Sequence, residues 1–308
     1  MTKELHVVLG ANGVTGRAVV EELNARNLPY RTVGRQPMTD DHYVQADLLN
    51  PDDTARAVND ATHVYVCVGL PYDTKTWERD WIPLMTNVLD AVKDKRPKLI
   101  FLDNVYLYGP LDVPFDEQHK RRPKARKGKV RLAVTELVET TCEEHDIPYV
   151  IGRAPDFFGP GATGSVVYAS FLERMLTGKD PLFLGRIDQL HSFAYTADIG
   201  RALVVLGTSD KANGKTYHLP LSGKLTIVEL ADLMNKELNT NFSVKATGPF
   251  MHALIGLFVP IVKTMKEMRY QFDHPYDMSD ALFRKDFPNF QSTPIETAIQ
   301  TTVQSFQQ

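Results

Sequence analysis

The sequence predicts an α/β fold: a doubly wound parallel sheet with a smaller, interleaved C-terminal α/β lobe. Three observations carry that prediction. Apolar strand-like runs alternate with helical spacing over the first half of the chain. The first run leads into three glycines at two-residue intervals and then into a helix. Past Phe157 the rhythm breaks into glycine- and proline-rich stretches and further helices.

The elements follow in order. Leu5–Leu9 is a short apolar run that reads as a buried strand, and Ala18–Ala25 has the spacing of an amphipathic helix. Tyr30–Gly34 and Tyr43–Asp47 read as the second and third strands, with Ala55–Asn59 helical after them. His63–Val68 is a continuous β-branched run, Trp81–Lys93 a helix and Lys98–Leu102 the fifth strand. Arg131–His145 has helical spacing and Pro148–Gly152 closes the series as the sixth strand. Downstream, Asp198–Leu206, Thr226–Leu238 and Ile295–Phe306 read as helices and Thr216–Leu219 as a strand. The expected domains are 1–155, with 188–220 returning to it, and a second lobe made of 156–187 and 221–308. No internal repeat or low-complexity linker separates them.

The strand–turn–helix unit at the start carries the chemistry. Gly10 permits a tight turn, Gly13 lets a phosphate approach the backbone, and Gly16 allows close helix–strand packing. Bare backbone N–H groups and a helix N-terminus at that point form an anion site suited to a pyrophosphate. The three glycines alone are a weak signal; their place between strand and helix makes it specific.

Composition narrows the class. The 308 residues are 43% hydrophobic and 24% charged, ordinary values for a globular enzyme, and the formal net charge is −3. That charge provides no overall field drawing the chain to nucleic acid or an anionic membrane. Two distant cysteines, Cys67 and Cys142, point to a reduced, cytoplasmic setting, and no signal peptide is expected. The apolar run Ala253–Val262 is too short to span a bilayer and contains a proline, so no membrane partner is expected. Nine histidines show no metal-ligand spacing, Cys142 and His145 lack a second pair, and no metal is expected. The stretch Gly159–Gly164 lacks the Lys-Ser/Thr of a phosphate-binding P-loop, and no Gly-x-Ser-x-Gly element suggests a hydrolase.

Taken in order, several segments resemble a known family. They are Gly10-x-x-Gly13-x-x-Gly16, Asp47 after the third strand, Val105–Pro110 after the fifth, Arg153–Gly161 after the sixth, His191–Ile199 and Thr226–Leu230. Together they resemble the extended and atypical short-chain dehydrogenase/reductases, the NAD-dependent epimerase/dehydratase-like group, over nearly the whole chain. The resemblance implies a Rossmann-like fold and a dinucleotide. It does not choose among reductases, epimerases, dehydratases and non-catalytic redox sensors.

Selectivity between NAD and NADP is set near the end of the second strand, where a carboxylate takes the ribose 2′-OH and arginine takes a 2′-phosphate. Here the segment is Thr32-Val-Gly-Arg35-Gln-Pro, with no acidic residue before Asp40. Arg35 can pair with phosphate oxygens and Arg17 can add a second positive charge, so NADP is expected, with NAD as the alternative. The alternative is that both arginines are solvated surface charges. The resemblance places Asp47 and Leu48 against the adenine and Val68 and Gly69 along the cofactor. Asn12, Val14 and Thr15 of the loop, Leu102, Ala154, Pro155, Asp156 and Phe157 complete the expected cofactor contacts.

Most relatives use a Ser/Thr and a Tyr-x-x-x-Lys pair. Here Asn104 falls at the Ser/Thr position, and Lys127-Gly-Lys-Val-Arg131 falls where Tyr-x-x-x-Lys belongs. Two alternatives follow. In one, Lys127 is the proton donor and touches the cofactor, Arg131 holds the nicotinamide ribose, and Asn104 bonds the substrate oxygen, with Tyr106 as another source of acid. The substrate is then a small carbonyl or hydroxyl compound, a nucleotide sugar being one option. In the other, the chain binds dinucleotide without turnover, as NmrA-like sensors do. Trp77, Tyr168, Phe171 and His191 are candidate pocket walls or core.

The run His119–Arg131 holds eight Lys/Arg residues in thirteen. It has the charge of a nucleic-acid patch, but no aromatic residue interleaves it to stack bases. A solvated loop or the entrance for an anionic substrate is the favoured reading, and a homodimer is left open.

Overall fold

The structure is a computed structural model that describes residues 4–39, 41–111, 114–246, 248 and 266–307. Asp40 and the apolar run Ala253–Val262 lie outside the described residues. The chain divides into two compact units. The first is Met1–Leu107, Arg126–Arg153 and Ile199–Tyr217; the second is Tyr108–Ala125, Ala154–Asp198 and His218–Gln308. These boundaries differ from the expected ones at 108–125, 154–155, 188–198 and 218–220, all of which lie with the second unit.

The first unit is built on β1 (His6–Leu9), α1 (Val14–Ala25), β2 (Tyr30–Gly34), β3 (Tyr43–Gln45), α2 (Pro51–Val58), β4 (His63–Val66), α3 (Thr74–Val92), β5 (Lys98–Asn104), α4 (Arg126–Glu144) and β6 (Tyr149–Ala154). Its seven-stranded sheet runs β3, β2, β1, β4, β5, β6 and then Lys215–His218. The pairings β1–β2, β1–β4, β2–β3 and β4–β5 are all parallel. Successive strand residues point to opposite faces. Val7, Leu9, Val64, Val66, Leu99, Phe101 and Ile151 pack with Ala57, Trp81, Leu84, Val88, Val134 and Val138 of α2, α3 and α4. The alternate residues Val8, Tyr65, Ile100 and Val150 are equally buried, which explains why these strands read as unbroken apolar runs. On that side lies α6 (Thr196–Gly207): a Cβ on Gly200 would collide with Ala18 of α1, and one on Gly207 with the Tyr65 hydroxyl.

Several helices begin earlier than their apolar spacing indicates. Asp73 caps α3 by accepting from the Thr76 N–H at 2.8 Å, so the helix starts at Thr74 despite its polar first turn. Asn50 caps α2 in the same manner, with Pro51 at its first position. Helix α4 begins at Arg126, so the last residues of the basic run are helical and Lys127 and Arg131 stand one turn apart.

The second unit departs from the expectation of loops and helices after Phe157. β7 (Asp156–Phe158), β9 (Leu190–Tyr195) and β11 (Gly223–Thr226) form a three-stranded sheet in which β9 is central. β7 and β11 are three and four residues long, too short to show in a periodicity count. Phe158, Phe171, Phe193, Leu230, Met234, Phe272 and Ile299 form the core beside it. α7 (Ile227–Leu238) opens with a capping box between Thr226 and Glu229 and ends at Asn239 in the left-handed region.

A buried polar relay lies in this unit. The Ser279 carbonyl can only accept, so it takes the His218 Nδ1 proton at 2.8 Å, and His218 Nε2 then accepts from the Tyr108 hydroxyl at 2.7 Å. Tyr108 and His218 are fully buried. Tyr108→Phe removes that donor and should cost about 1–3 kcal/mol, read as a lower urea midpoint with an unchanged slope.

Candidate functional site

The sheet order places one position apart from the rest. The chain adds β2 and β3 on one side of β1 and then returns to add β4 on the other side. Ligands of doubly wound sheets bind outside the carboxyl ends of the strands at such a reversal. The glycine turn follows β1 there. Gly10 has φ +78°, and a Cβ on it would lie 2.8 Å from the Cys67 carbonyl oxygen and 2.9 Å from Val68 Cα. A side chain at Gly16 would run into the Gly10 carbonyl. Only bare backbone fits this cradle. Gly13 is the N-cap of α1, no side chain caps the helix, and its first turn has no acidic residue. An uncapped helix N-terminus held in a tight glycine turn fits a diphosphate.

Other residues expected at the cofactor lie in this turn and at the neighbouring strand ends. Asn12 and Gly13 are exposed, Val14 is half-buried and Thr15 is buried. Arg17 is exposed, and its guanidinium donates to the Asn12 carbonyl at 2.8 Å. Arg35 follows β2 and is exposed, its carbonyl accepting from Gln45 Nε2 at 3.1 Å. After β3, Asp47 turns its carboxylate onto the Leu49 N–H at 3.1 Å, and Leu48 is buried. After β4, Val68 lies against the Gly10 turn while Gly69 faces open space. Leu102 is half-buried on β5.

A second cluster of the first unit surrounds Lys127. Its ammonium has no solvent exposure, donates to Thr74 Oγ1 at 2.9 Å and sits 4.4 Å from the centre of the Tyr72 ring. Tyr106 stacks on Trp77 with centroids 6.0 Å apart, and its hydroxyl lies 3.5 Å from that of Tyr72. The loop after β4, the start of α3, the turn after β5 and the first turn of α4 thus bring Tyr72, Thr74, Tyr106 and Lys127 together.

Arg131 has a different environment from the one expected of a ribose contact. Its Nε donates to Asp103 Oδ1 at 2.8 Å, a second guanidinium nitrogen joins the same oxygen, and the group lies between the rings of Trp81 and Phe101. Asp103 also accepts from Thr135 at 3.0 Å and from Arg153 Nε at 3.3 Å. All four side chains are buried. Burial alone would raise the Asp103 pKa, but the Arg131 and Arg153 charges outweigh it and hold the carboxyl below its ordinary value. Asn104 is likewise engaged locally, its amide oxygen accepting the Tyr106 N–H at 3.0 Å.

Ala154, Pro155, Asp156 and Phe157 belong to the second unit. Asp156 accepts from His191 Nε2 at 2.7 Å, and the His191 ring stacks on Tyr276 at 5.1 Å. Phe171 is core, and Tyr168 packs on Phe306. The basic run does not form one charged face: Lys127 and Arg131 are buried, and Arg126 pairs with Glu78 at 2.7 Å. Both thiols are buried and pushed up to about 12 by desolvation. Among the described residues no helix is long and apolar enough to cross a membrane.

Sequence reasoning missed Tyr72, Thr74, Asp103 and Thr135. Asp103 and Arg153 carried a usable signal, since charges at the ends of apolar strands require partners when buried. Replacing Asp103 with Asn leaves two buried guanidinium groups short of a counter-charge and should cost about 3–5 kcal/mol, measured by chemical denaturation at neutral pH. Because the folded-state pKa is depressed, this stabilisation is full above the ordinary carboxylate range and is lost as pH falls through the folded value. The Asn variant should therefore converge on wild type in acid.

Comparison with curated proteins finds no match. Among solved structures, the chain resembles the UDP-glucose 4-epimerase of Thermus thermophilus, solved with NAD, at a TM-score of 0.79 and 18% identity, covering 98% of this chain and 99% of that one. It resembles the dTDP-glucose 4,6-dehydratase of Bacillus anthracis, also with NAD, at 0.79 and 14% identity, over 99% and 96% of the two chains. The UDP-N-acetylglucosamine 4-epimerase of Methanobrevibacter ruminantium, solved with UDP-N-acetylmuramic acid, matches at 0.79 and 18% identity over 99% of each chain. At these identities the likeness is one of fold. A sequence model of the NAD dependent epimerase/dehydratase family matches residues 6–219, and the chain belongs to that family.

Proposed function

We propose that the chain binds a nicotinamide dinucleotide through its glycine turn, prefers NADP, and acts on a small carbonyl or hydroxyl compound. A nucleotide sugar is the substrate class suggested by the names of its structural neighbours. The family match supports the dinucleotide, and the NAD in the neighbours' names supports a nicotinamide cofactor of either form. Preference for the 2′-phosphate rests on the exposed Arg35 at the end of β2, where a carboxylate would receive a ribose hydroxyl. Two buried thiols suit a reducing cytoplasmic setting.

The observation that carries the catalytic part is Lys127, a fully buried ammonium directed at Thr74 Oγ1 beside Tyr72. The cofactor, when bound, supplies or accepts hydride. When hydride is supplied, Lys127 Nζ gives the matching proton to the substrate oxygen; when hydride is accepted, the neutral Lys127 amine takes that proton, and Tyr106 lines the same cluster. Arg131 acts through Asp103, positioning α4 and hence Lys127 rather than touching the ribose. Asn104 supports the Tyr106 turn.

A second reading, a dinucleotide sensor without turnover, draws on the same observation about Arg131 and Asn104: both have internal partners. Lys127→Met separates the two. An enzyme loses about 100-fold or more in turnover while dinucleotide binding persists, whereas a sensor binds NADPH tightly and consumes none against any carbonyl tested. Arg35→Asp should weaken NADP by about tenfold or more and leave NAD little changed, as read by fluorescence titration. Equal affinities for both forms in both proteins would overturn the NADP preference.

A further inference from the structure

At the opposite end of the sheet from the glycine turn, strand register joins two histidines that the sequence keeps 57 residues apart. His6 opens β1 and His63 opens β4, and they are direct partners in the parallel ladder. Glu4 lies just before β1. The ligand atoms of Glu4, His6 and His63 all lie within 4.8 Å of one another. We propose that these three side chains form a binding site for a divalent transition cation of the zinc type, which clips the entry of β1 to β4.

The hydrogen bonds determine which nitrogens are available. Thr62 Oγ1 donates to the Leu5 carbonyl at 3.0 Å and accepts from the Leu5 N–H at 2.9 Å, so at 2.9 Å from His63 Nδ1 it receives that proton as well. His63 Nε2 therefore carries a bare lone pair. His6 gives its Nε2 proton to Glu4 at 3.1 Å and accepts at Nδ1 from the Tyr65 hydroxyl at 3.2 Å. A cation taking Nε2 moves one proton to Nδ1 by exchange with solvent, and Tyr65 turns from donor to acceptor. A metal-bound imidazole commonly holds its second nitrogen by such a hydrogen bond.

A metal takes imidazole in its neutral form, and the hydrogen bonds of both rings are those of neutral tautomers. Two imidazoles and a carboxylate leave a fourth, open position for water, a donor set that suits zinc. The rings now stack with centroids 4.3 Å apart and planes 9° apart. A cation lies in the plane of each imidazole it binds, so the half-buried His63 swings out of the stack on binding. Lys98, the next residue in the ladder, is a nearby cation. Its ammonium is turned onto the carbonyls of Leu206 and Ser209 at 2.8 and 2.7 Å.

The test uses tag-free full-length protein stripped with chelator and titrated with Co2+, whose tetrahedral complexes show visible d–d bands. One Co2+ per chain should bind, be displaced by Zn2+, and lose about tenfold or more in affinity in both Glu4→Gln and His63→Gln. Glu4 is half-exposed, so its variant keeps the fold. Zn2+ should raise the melting temperature of wild type and not of Glu4→Gln. No saturable site in wild type, or equal binding by wild type and both variants, would overturn the proposal. Neither result depends on cofactor binding or turnover.

Discussion

Asp103 is the buried carboxylate around which the first unit is organised. It ends the apolar part of β5 and receives Arg131 and Thr135 from α4 and Arg153 from β6. Two guanidinium charges and one carboxylate leave a net positive interior. Such an arrangement is tolerated because each donor is aimed at the same acceptor and the Arg131 group also rests on two aromatic rings. The network fixes how α4 lies on the sheet. The place of Lys127 follows from it, one turn earlier on the same helix.

That arrangement changes what a Lys-x-x-x-Arg pair means. In the Tyr-x-x-x-Lys pattern both members face the reacting groups. Here both members are buried: Arg131 is bound to Asp103, and Lys127 lies among Tyr72, Thr74 and Tyr106. In the proposed function the pair divides its work, Arg131 holding α4 through Asp103 and Lys127 carrying the proton. The glycine turn is unaffected by this division, because its fit to a diphosphate depends on backbone alone.

How much of this was legible follows from range. The glycine turn and the individual strands of the large sheet are local patterns, and their residues sit where periodicity places them. Helix starts at Thr74 and Arg126 were missed because polar residues fill the first turns of those helices, leaving no apolar spacing to read. The three-stranded sheet of the second unit was missed because β7 and β11 are three and four residues long and pair only with distant partners. The Asp103 network spans 28 to 50 residues of sequence, and the His6–His63 pairing 57. Such contacts depend on strand order, which linear spacing does not encode.

The path of the chain between the two units has a consequence for its biosynthesis. The polypeptide leaves the first unit at Leu107, comes back at Arg126, departs after Arg153 and returns for Ile199–Tyr217. The last of these passages supplies α6 and the outer strand of the large sheet. A nascent chain emerging from the ribosome therefore exposes a sheet lacking one edge strand and part of one helical layer until Ile199–Tyr217 has been made. Folding of this kind has high contact order and is slow. During translation, chaperones that shield unpaired edges would act on the interval before Tyr217 is released.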